Sequence, residues 1–178
     1  KVPHIAQAIG SDVNSDMKFL SQKQQFKVWM KNMDGIITNS FDLEKKIRHF
    51  YPSNIYIKTI YRGIHIDYQS SKHRFFDKNT CDFLYLGGLM NVKGGITLMN
   101  AWEKAERELA NLNAFLYFGG PDSKSELFNR WKKKLQFPDM VKNLGKLQPE
   151  EVKKYLNKVD IVVIPSMEEG LPNLLLES

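Results

Sequence analysis

The sequence predicts an α/β protein made of two parallel-sheet lobes. Strand-length apolar runs alternate with helix-period segments from end to end, as βαβ units require. From about Gly63 to Cys81 the alternation gives way to His, Asp, Ser, Lys and Arg with no apolar period, which reads as a connector between the lobes. A composition of 42% hydrophobic and 26% charged residues supports packed cores and excludes disordered, collagen-like and coiled-coil classes. No repeat recurs at solenoid periods.

The elements follow in order. His4 to Ile9 reads as a strand and Gly10-Ser11-Asp12 as a loop, with Ser11 and Asp12 read as turn caps ahead of a contact with a bound substrate. Phe19 to Met33 reads as a helix with an apolar stripe of Phe19, Phe26, Trp29, Met30 and Met33. Gly35 to Thr38 is a short strand, and Phe41 to Phe50 a helix that stops before Tyr51-Pro52, because a residue preceding proline leaves the α region. Ile55 to Tyr61 alternates apolar residues as a strand does. Beyond the connector come a buried strand, Phe83 to Leu86, and a helix, Ile96 to Ala110, facing inward through Leu98, Trp102, Ala105 and Leu109. The next strand is Ala114 to Phe118, and Leu127, Phe128, Trp131 and Leu135 mark a helix. Met140 to Leu144 is a short strand. Pro149 then opens a helix with Glu150 and Glu151 in its first turn and Val152, Tyr155, Leu156 and Val159 inward. Ile161 to Ile164 is expected as a fully apolar central strand broken by Pro165, and Leu171-Pro172 opens a last helix.

Composition bounds the function. No apolar run approaches the ~20 residues of a membrane span, Ile161–Ile164 and Leu174–Leu176 being strand-sized or shorter, and the opening Lys-Val-Pro-His has no signal-peptide pattern. The single Cys81 excludes a disulfide framework and CxxC sites, no Asn-x-Ser/Thr sequon occurs, and both point to a reducing, cytoplasmic setting. His4, His49, His65 and His73 lack ligand spacing, and no Ser-His-Asp arrangement stands out. A formal charge of +6 implies an anionic partner: nucleic acid, lipid headgroups or a phosphorylated substrate.

Parallel sheets bind ligands at the carboxyl ends of their strands, where glycines admit a close backbone and helix N-termini carry partial positive charge. Three strand ends are chemically loaded. The stretch Gly87-Gly88-Leu89-Met90-Asn91-Val92-Lys93-Gly94-Gly95 is neither a P-loop nor GxGxxG, which disfavours a dinucleotide-binding protein, yet a lone Lys between glycines suits a phosphate. Gly119-Gly120-Pro121-Asp122 reads as a tight turn. In Ser166-Met167-Glu168-Glu169-Gly170-Leu171-Pro172-Asn173-Leu174-Leu175-Leu176-Glu177, two carboxylates, Glu169 and Glu177, flank a helix start framed by Gly170 and Pro172. Acids there repel a bare phosphate but pair with diols on either side of a diphosphate, the layout of a nucleotide sugar.

In this order, Gly-x-Leu…Lys-Gly, Phe-Gly-Gly, Val-x-Asn-Leu-Gly, Asp-Ile-Val-Val-Ile-Pro-Ser and Glu-Gly-Leu-Pro-Asn-Leu-Leu-Leu-Glu resemble the donor-binding domain of the GT4 family of retaining glycosyltransferases, which have the GT-B fold. Gly10-Ser11-Asp12, Ile36-Ile37-Thr38-Asn39-Ser40 and Tyr61-Arg62-Gly63-Ile64 are similar to the end of its acceptor-side domain. The resemblance implies two Rossmann-like lobes, both incomplete: 1–66 from the acceptor side, a connector at 67–81, and 82–178 from the donor side. Lys93 would bind the donor diphosphate and stabilise the departing nucleotide, and Glu169 would contact the transferred sugar, which makes these two the expected catalytic residues. Gly87 and Gly88 would border the phosphates, the amides of Gly170, Leu171, Pro172 and Asn173 would frame the diphosphate site, and Glu177 would hold the ribose hydroxyls. Backbone around Gly119, Leu144 and Gly145 would line the base pocket.

The implied reaction moves a hexose from a UDP- or GDP-sugar to a glycan or lipid-linked acceptor, in cell-surface polysaccharide synthesis, with neither metal nor cofactor. A non-catalytic nucleotide-sugar-binding module is the alternative, because Gly88 stands where the family often has Arg, and Ile9 where it often has His or Arg. Lys23, Lys27 and Lys31, and the run Arg130 to Lys134, read as solvated helix faces, with peripheral contact to anionic membrane as the second reading. Nucleic acid is disfavoured because the aromatics are expected on buried faces. A complete enzyme of this type needs two domains of roughly 100–200 residues each. The chain is therefore expected to be an internal piece, with much of a donor site and little activity.

Overall fold

The computed structural model describes residues 2–10, 13, 20–50, 54–64 and 79–178. Ser11, Asp12, Phe19, Tyr51, Pro52, His65, His73 and nearly all of the expected connector lie outside the described residues. The chain forms two compact units, Lys1–His65 with Glu168–Asn173, and Ile66–Met167 with Leu174–Ser178.

The first unit runs β1 (Ile5–Ala8), α1 (Leu20–Lys31), β2 (Gly35–Thr38), α2 (Phe41–Phe50) and β3 (Tyr56–Thr59). Its three strands are parallel in the order β1-β2-β3. The register sets Ala6 beside Ile36 and Ile57, and Ala8 beside Thr38 and Thr59, so one sheet face collects the small and branched residues. Leu43 and Ile47, one helical turn apart on α2, are wholly buried against that face with Met30 of α1. Ser40 caps α2 by accepting the Leu43 N–H at 3.3 Å.

Thr59 donates its hydroxyl to the Glu44 carboxylate, which also accepts from Arg48 at 2.9 Å, while Thr38 and Thr59 hydroxyls meet at 2.9 Å. The Thr59 hydrogen bond first, then Arg48, hold the Glu44 carboxyl below its ordinary value. The α1 stripe differs from expectation: Met30 is 4% exposed but Trp29 is 70% exposed. Adjacent residues stand about 100° apart around a helix, so Met30 facing the core leaves Trp29 outside. Strands β1 and β3 are shorter than expected, at four residues each.

The second unit runs β4 (Cys81–Leu86), α3 (Gly95–Lys104), α4 (Glu106–Asn111), β5 (Ala114–Gly119), α5 (Glu126–Lys134), β6 (Val141–Gly145), α6 (Pro149–Leu156), β7 (Ile161–Val162) and α7 (Asn173–Glu177), with 3₁₀ turns at Asn91–Lys93 and Pro138–Met140. All strands are parallel in the order β6-β5-β4-β7. One face carries the core: Tyr85, Leu116 and Phe118 from the sheet against Met99, Trp102, Phe128 and Trp131 from the helices. Tyr85 and Phe118 rings lie 4.7 Å apart, Phe118 and Phe128 4.8 Å, and Phe128 and Trp131 5.4 Å. Such pairs add about 0.5–1.5 kcal/mol each beyond the area they bury. Behind the sheet, Tyr155 of α6 meets Tyr117 at 5.7 Å, and the Tyr117 hydroxyl 3.1 Å from Lys158 Nζ holds that ammonium above its ordinary value.

Three expectations are corrected. The helix read as Ile96 to Ala110 is two, broken at Ala105 (φ −99°, ψ 11°). Beyond the break Glu106, 5% exposed, faces inward and accepts the N–H groups of Gln136 and Phe137 at 3.0 and 2.6 Å. Leu127 is 48% exposed, since α5 buries Phe128 and Trp131, three residues apart on one side. The expected central strand Ile161–Ile164 is a two-residue strand at the end of the sheet, paired with β4 alone among the described residues. Nor is the run fully buried: Ile161 is 37% exposed and Val162, Val163 and Ile164 are half-buried, as an end position with one neighbour allows. The helix at Pro149 stands as expected, with a capping box of Gln148 and Glu151.

Replacing Glu106 by Ala leaves two backbone N–H groups without their acceptor and should lower unfolding free energy by about 1–3 kcal/mol, measured by urea denaturation. Glu44 contributes stability that is present above its unfolded pKa of about 4.3 and lost as pH falls through its lower folded value. The difference in stability between wild type and Glu44→Gln should therefore be full at pH 7 and shrink towards pH 3.

Candidate functional site

The carboxyl ends of β4, β5 and β6 meet through the backbone. Past the last strand residues the ladder continues, with Gly87 N–H on the Gly119 carbonyl at 2.9 Å and Gly120 N–H on the Gly145 carbonyl at 2.8 Å. Gly87, Gly88, Lys93, Gly119, Leu144 and Gly145 thus share one edge of one sheet. Asn143 secures it by donating to the Ser123 carbonyl at 2.7 Å and accepting Gly145 N–H at 3.0 Å. Ser123, fully buried, donates to the Gly120 carbonyl at 2.9 Å.

Lys93 closes the 3₁₀ turn Asn91–Lys93 and is half-buried. Gly94 follows at φ +74° in the left-handed region, and there a Cβ would stand 2.1 Å from the Pro165 carbonyl oxygen. Ser166 Oγ lies 3.5 Å from the Lys93 carbonyl, and Met167 N–H bonds the Val92 carbonyl at 2.9 Å, so the segment after β7 seats on the Lys93 turn. No side chain caps the N-terminus of α3. At Gly88 the structure supplies a partner that the sequence did not announce. Asp122 Oδ2 accepts Leu89 N–H at 3.0 Å and would lie 2.9 Å from a Cβ on Gly88, so the carboxylate occupies the space beside that glycine.

Glu169, Gly170, Leu171, Pro172 and Asn173 belong to the first unit. Gly170 is seated between β1 and β2: a Cβ would stand 2.6 Å from the Ile9 carbonyl oxygen, 2.8 Å from Asn39 Oδ1 and 3.1 Å from Leu43 Cδ1. Asn39 in turn donates to the Ile9 carbonyl at 3.1 Å. The helix expected to open at Leu171-Pro172 begins one residue later, at Asn173, and Glu177 ends it, exposed.

Sequence reasoning missed Tyr85 and Ser123 and gave no role to Asp122 and Asn143, which stand in its motifs; all four hold this edge by hydrogen bonds. The signal for Tyr85 was present, since a tyrosine inside an apolar strand needs an acceptor for its hydroxyl. Cys81 lies at the opposite, amino end of β4, where burial and then Asp160 and Asp82 push its thiol up, away from an activated nucleophile. Among the described residues no cluster of His, Cys, Asp and Glu could hold a metal ion, and no helix is long and apolar enough to cross a membrane.

The sequence profile of glycosyl transferases group 1 matches residues 80–178, more than half of the chain, and the chain belongs to that family. No curated protein matches it. A S. aureus TarM variant in complex with fondaparinux, alpha-GlcNAc-glycerol and UDP is 15% identical with a TM-score of 0.76, over 98% of this chain and 34% of that one. Anabaena HepE in complex with UDP and glucose is 16% identical with a TM-score of 0.69, over 92% of this chain and 46% of that one. The lipopolysaccharide outer core galactosyltransferase WaaB is 19% identical with a TM-score of 0.68, over 90% and 43%. The shared fold is GT-B, two parallel α/β units, as the resemblance implied. The chain spans a third to a half of the length of these proteins.

Gly94→Ala forces a side chain into the left-handed region and against the Pro165 carbonyl. It should lower unfolding free energy by more than about 2 kcal/mol, read from the tryptophan fluorescence of urea unfolding.

Proposed function

We propose that this chain carries the nucleotide-sugar donor site of a retaining glycosyltransferase that moves a hexose from a nucleoside-diphosphate sugar to a glycan or lipid-linked acceptor. The observation that carries the reading is the Lys93 turn at the glycine-lined carboxyl edge of β4, β5 and β6, in a chain of the group 1 family. The uncapped N-terminus of α3 beside that turn adds partial positive charge for a diphosphate. Lys93 neutralises the charge that grows on the leaving nucleoside diphosphate, a role worth several kcal/mol without a metal. Glu169 accepts hydrogen bonds from hydroxyls of the transferred sugar, the segment from Gly170 to Asn173 borders the diphosphate, and Glu177 accepts from the ribose diol. Leu144, Gly145 and Gly119 offer backbone to the base. UDP is the favoured nucleotide, because the complexes of TarM and HepE hold it, and GDP is the competitor.

The work is placed on the cytoplasmic side, in polysaccharide synthesis. Trp29 stands exposed on α1, and Lys27 and Lys31, one turn apart on the other side of the helix, are exposed too, so buried aromatics no longer argue against nucleic acid for this helix. Peripheral contact with anionic lipid headgroups is the reading kept for this helix, because the exposed pair Lys27 and Lys31 at i, i+4 spacing suits an anionic surface and an exposed Trp suits the interface of a bilayer. The alternative of a binding module without transfer draws on Gly88 and its neighbour Asp122, which put a negative group where the family often has Arg.

Titration calorimetry with UDP, GDP and their sugars is the test: one nucleotide binds, and binding without hydrolysis or transfer would favour the module. In the complete enzyme Lys93→Ala and Glu169→Ala should each lower kcat by roughly a hundredfold or more, and unchanged turnover would refute the site. Co-sedimentation with anionic vesicles should fall in raised salt and in Trp29→Ala; no sedimentation at low salt would remove the membrane reading.

A further inference from the structure

We infer that the Tyr85 hydroxyl is the positioning group for the turn that bears Lys93, an inference that rests on the donor-site reading of Lys93. Tyr85 is 2% exposed, with its ring packed on Phe118 inside the core. A tyrosine buried that deeply must find an acceptor for its O–H. Here the hydroxyl donates to the Gly88 carbonyl at 2.7 Å and lies 3.2 Å from the Lys93 carbonyl, a shared bond that gathers both ends of one turn.

Space for the hydroxyl comes from two glycines. A Cβ on Gly87 would stand 2.6 Å from the Tyr85 oxygen, and one on Gly95 would stand 3.0 Å from it. The glycines that frame Lys93, read in the sequence as room for a phosphate, therefore make room for a side chain of the protein. Asp122 holds the same turn from the end of β5 through Leu89 N–H. With Gly88, Leu89 and Lys93 all engaged, the Lys93 side chain leaves the backbone from a fixed point above the core. Preset geometry of this kind matters because small displacements of a charge-stabilising group cost large factors in rate.

Tyr85→Phe removes one oxygen and keeps the ring in the core. Hydrogen exchange on the ligand-free protein should show the amides of Lys93 and Gly94 exchanging roughly tenfold faster, with β5 amides unchanged. Unaltered protection of the turn would overturn the inference, and Asp122→Ala, which frees Leu89 N–H, should loosen the same amides. UDP titration of Tyr85→Phe, Lys93→Ala and the double variant then separates positioning from general support. If Tyr85 acts through Lys93, the double variant binds UDP no more weakly than Lys93→Ala alone, whereas additive losses count against the inference. If the wild-type protein binds neither UDP nor GDP, the donor reading fails, and the exchange experiment alone decides the role of Tyr85.

Discussion

Backbone hydrogen bonds that run past the ends of β4, β5 and β6 organise the second unit's functional edge. The bonds from Gly87 N–H to the Gly119 carbonyl and from Gly120 N–H to the Gly145 carbonyl join three loops that would otherwise diverge from the sheet. They require main chains to come closer than any side chain permits, since a Cβ on Gly120 would stand 2.0 Å from the Gly87 carbonyl oxygen. The turn of Lys93 and the start of α3, proposed for phosphate chemistry, sit on this seam with the Asp122 carboxylate beside them. Below it, the contacts among Tyr85, Phe118, Phe128 and Trp131 make the floor stiff. Close-packed aromatics pass strain on instead of absorbing it.

The two units use polar burial differently. In the first, Thr38, Thr59, Glu44 and Arg48 form a chain of hydrogen bonds between sheet and helix at the edge of a small aliphatic core. In the second, carboxylates accept backbone N–H groups from distant segments: Glu106 those of Gln136 and Phe137, Asp160 that of Asp82, and Asp122 that of Leu89.

Much of the fold was legible in the sequence because it depends on period. The alternation of strands and helices, the extent of β2 and α2, and the capped start of α6 follow from local rules that no tertiary contact overrode. What escaped depends on partners distant in the chain. Trp29 has the composition of a core residue, and only the angle fixed by Met30 puts it outside. The break at Ala105 follows no local breaker, since neither Gly nor Pro is present, and it coincides with the inward turn of Glu106. At the candidate site the glycines and Lys93 were visible as a motif. Their reasons were hidden, because the space each glycine leaves is filled by Tyr85, Asp122 or Pro165, residues that the motif does not contain.

The contact of Gly94 with Pro165 carries a further consequence, one for divergence between related proteins. The two residues lie on loops after different strands, and neither can gain an atom on its facing side without moving the other. Drift at these positions is therefore coupled: a substitution in one loop survives only alongside a compensating change in its neighbour. Variation has an easier route through exposed side chains beside these loops, such as Asn91 and Met167. Family members can then differ widely in sequence, and in the molecules they select, over an almost unchanged backbone.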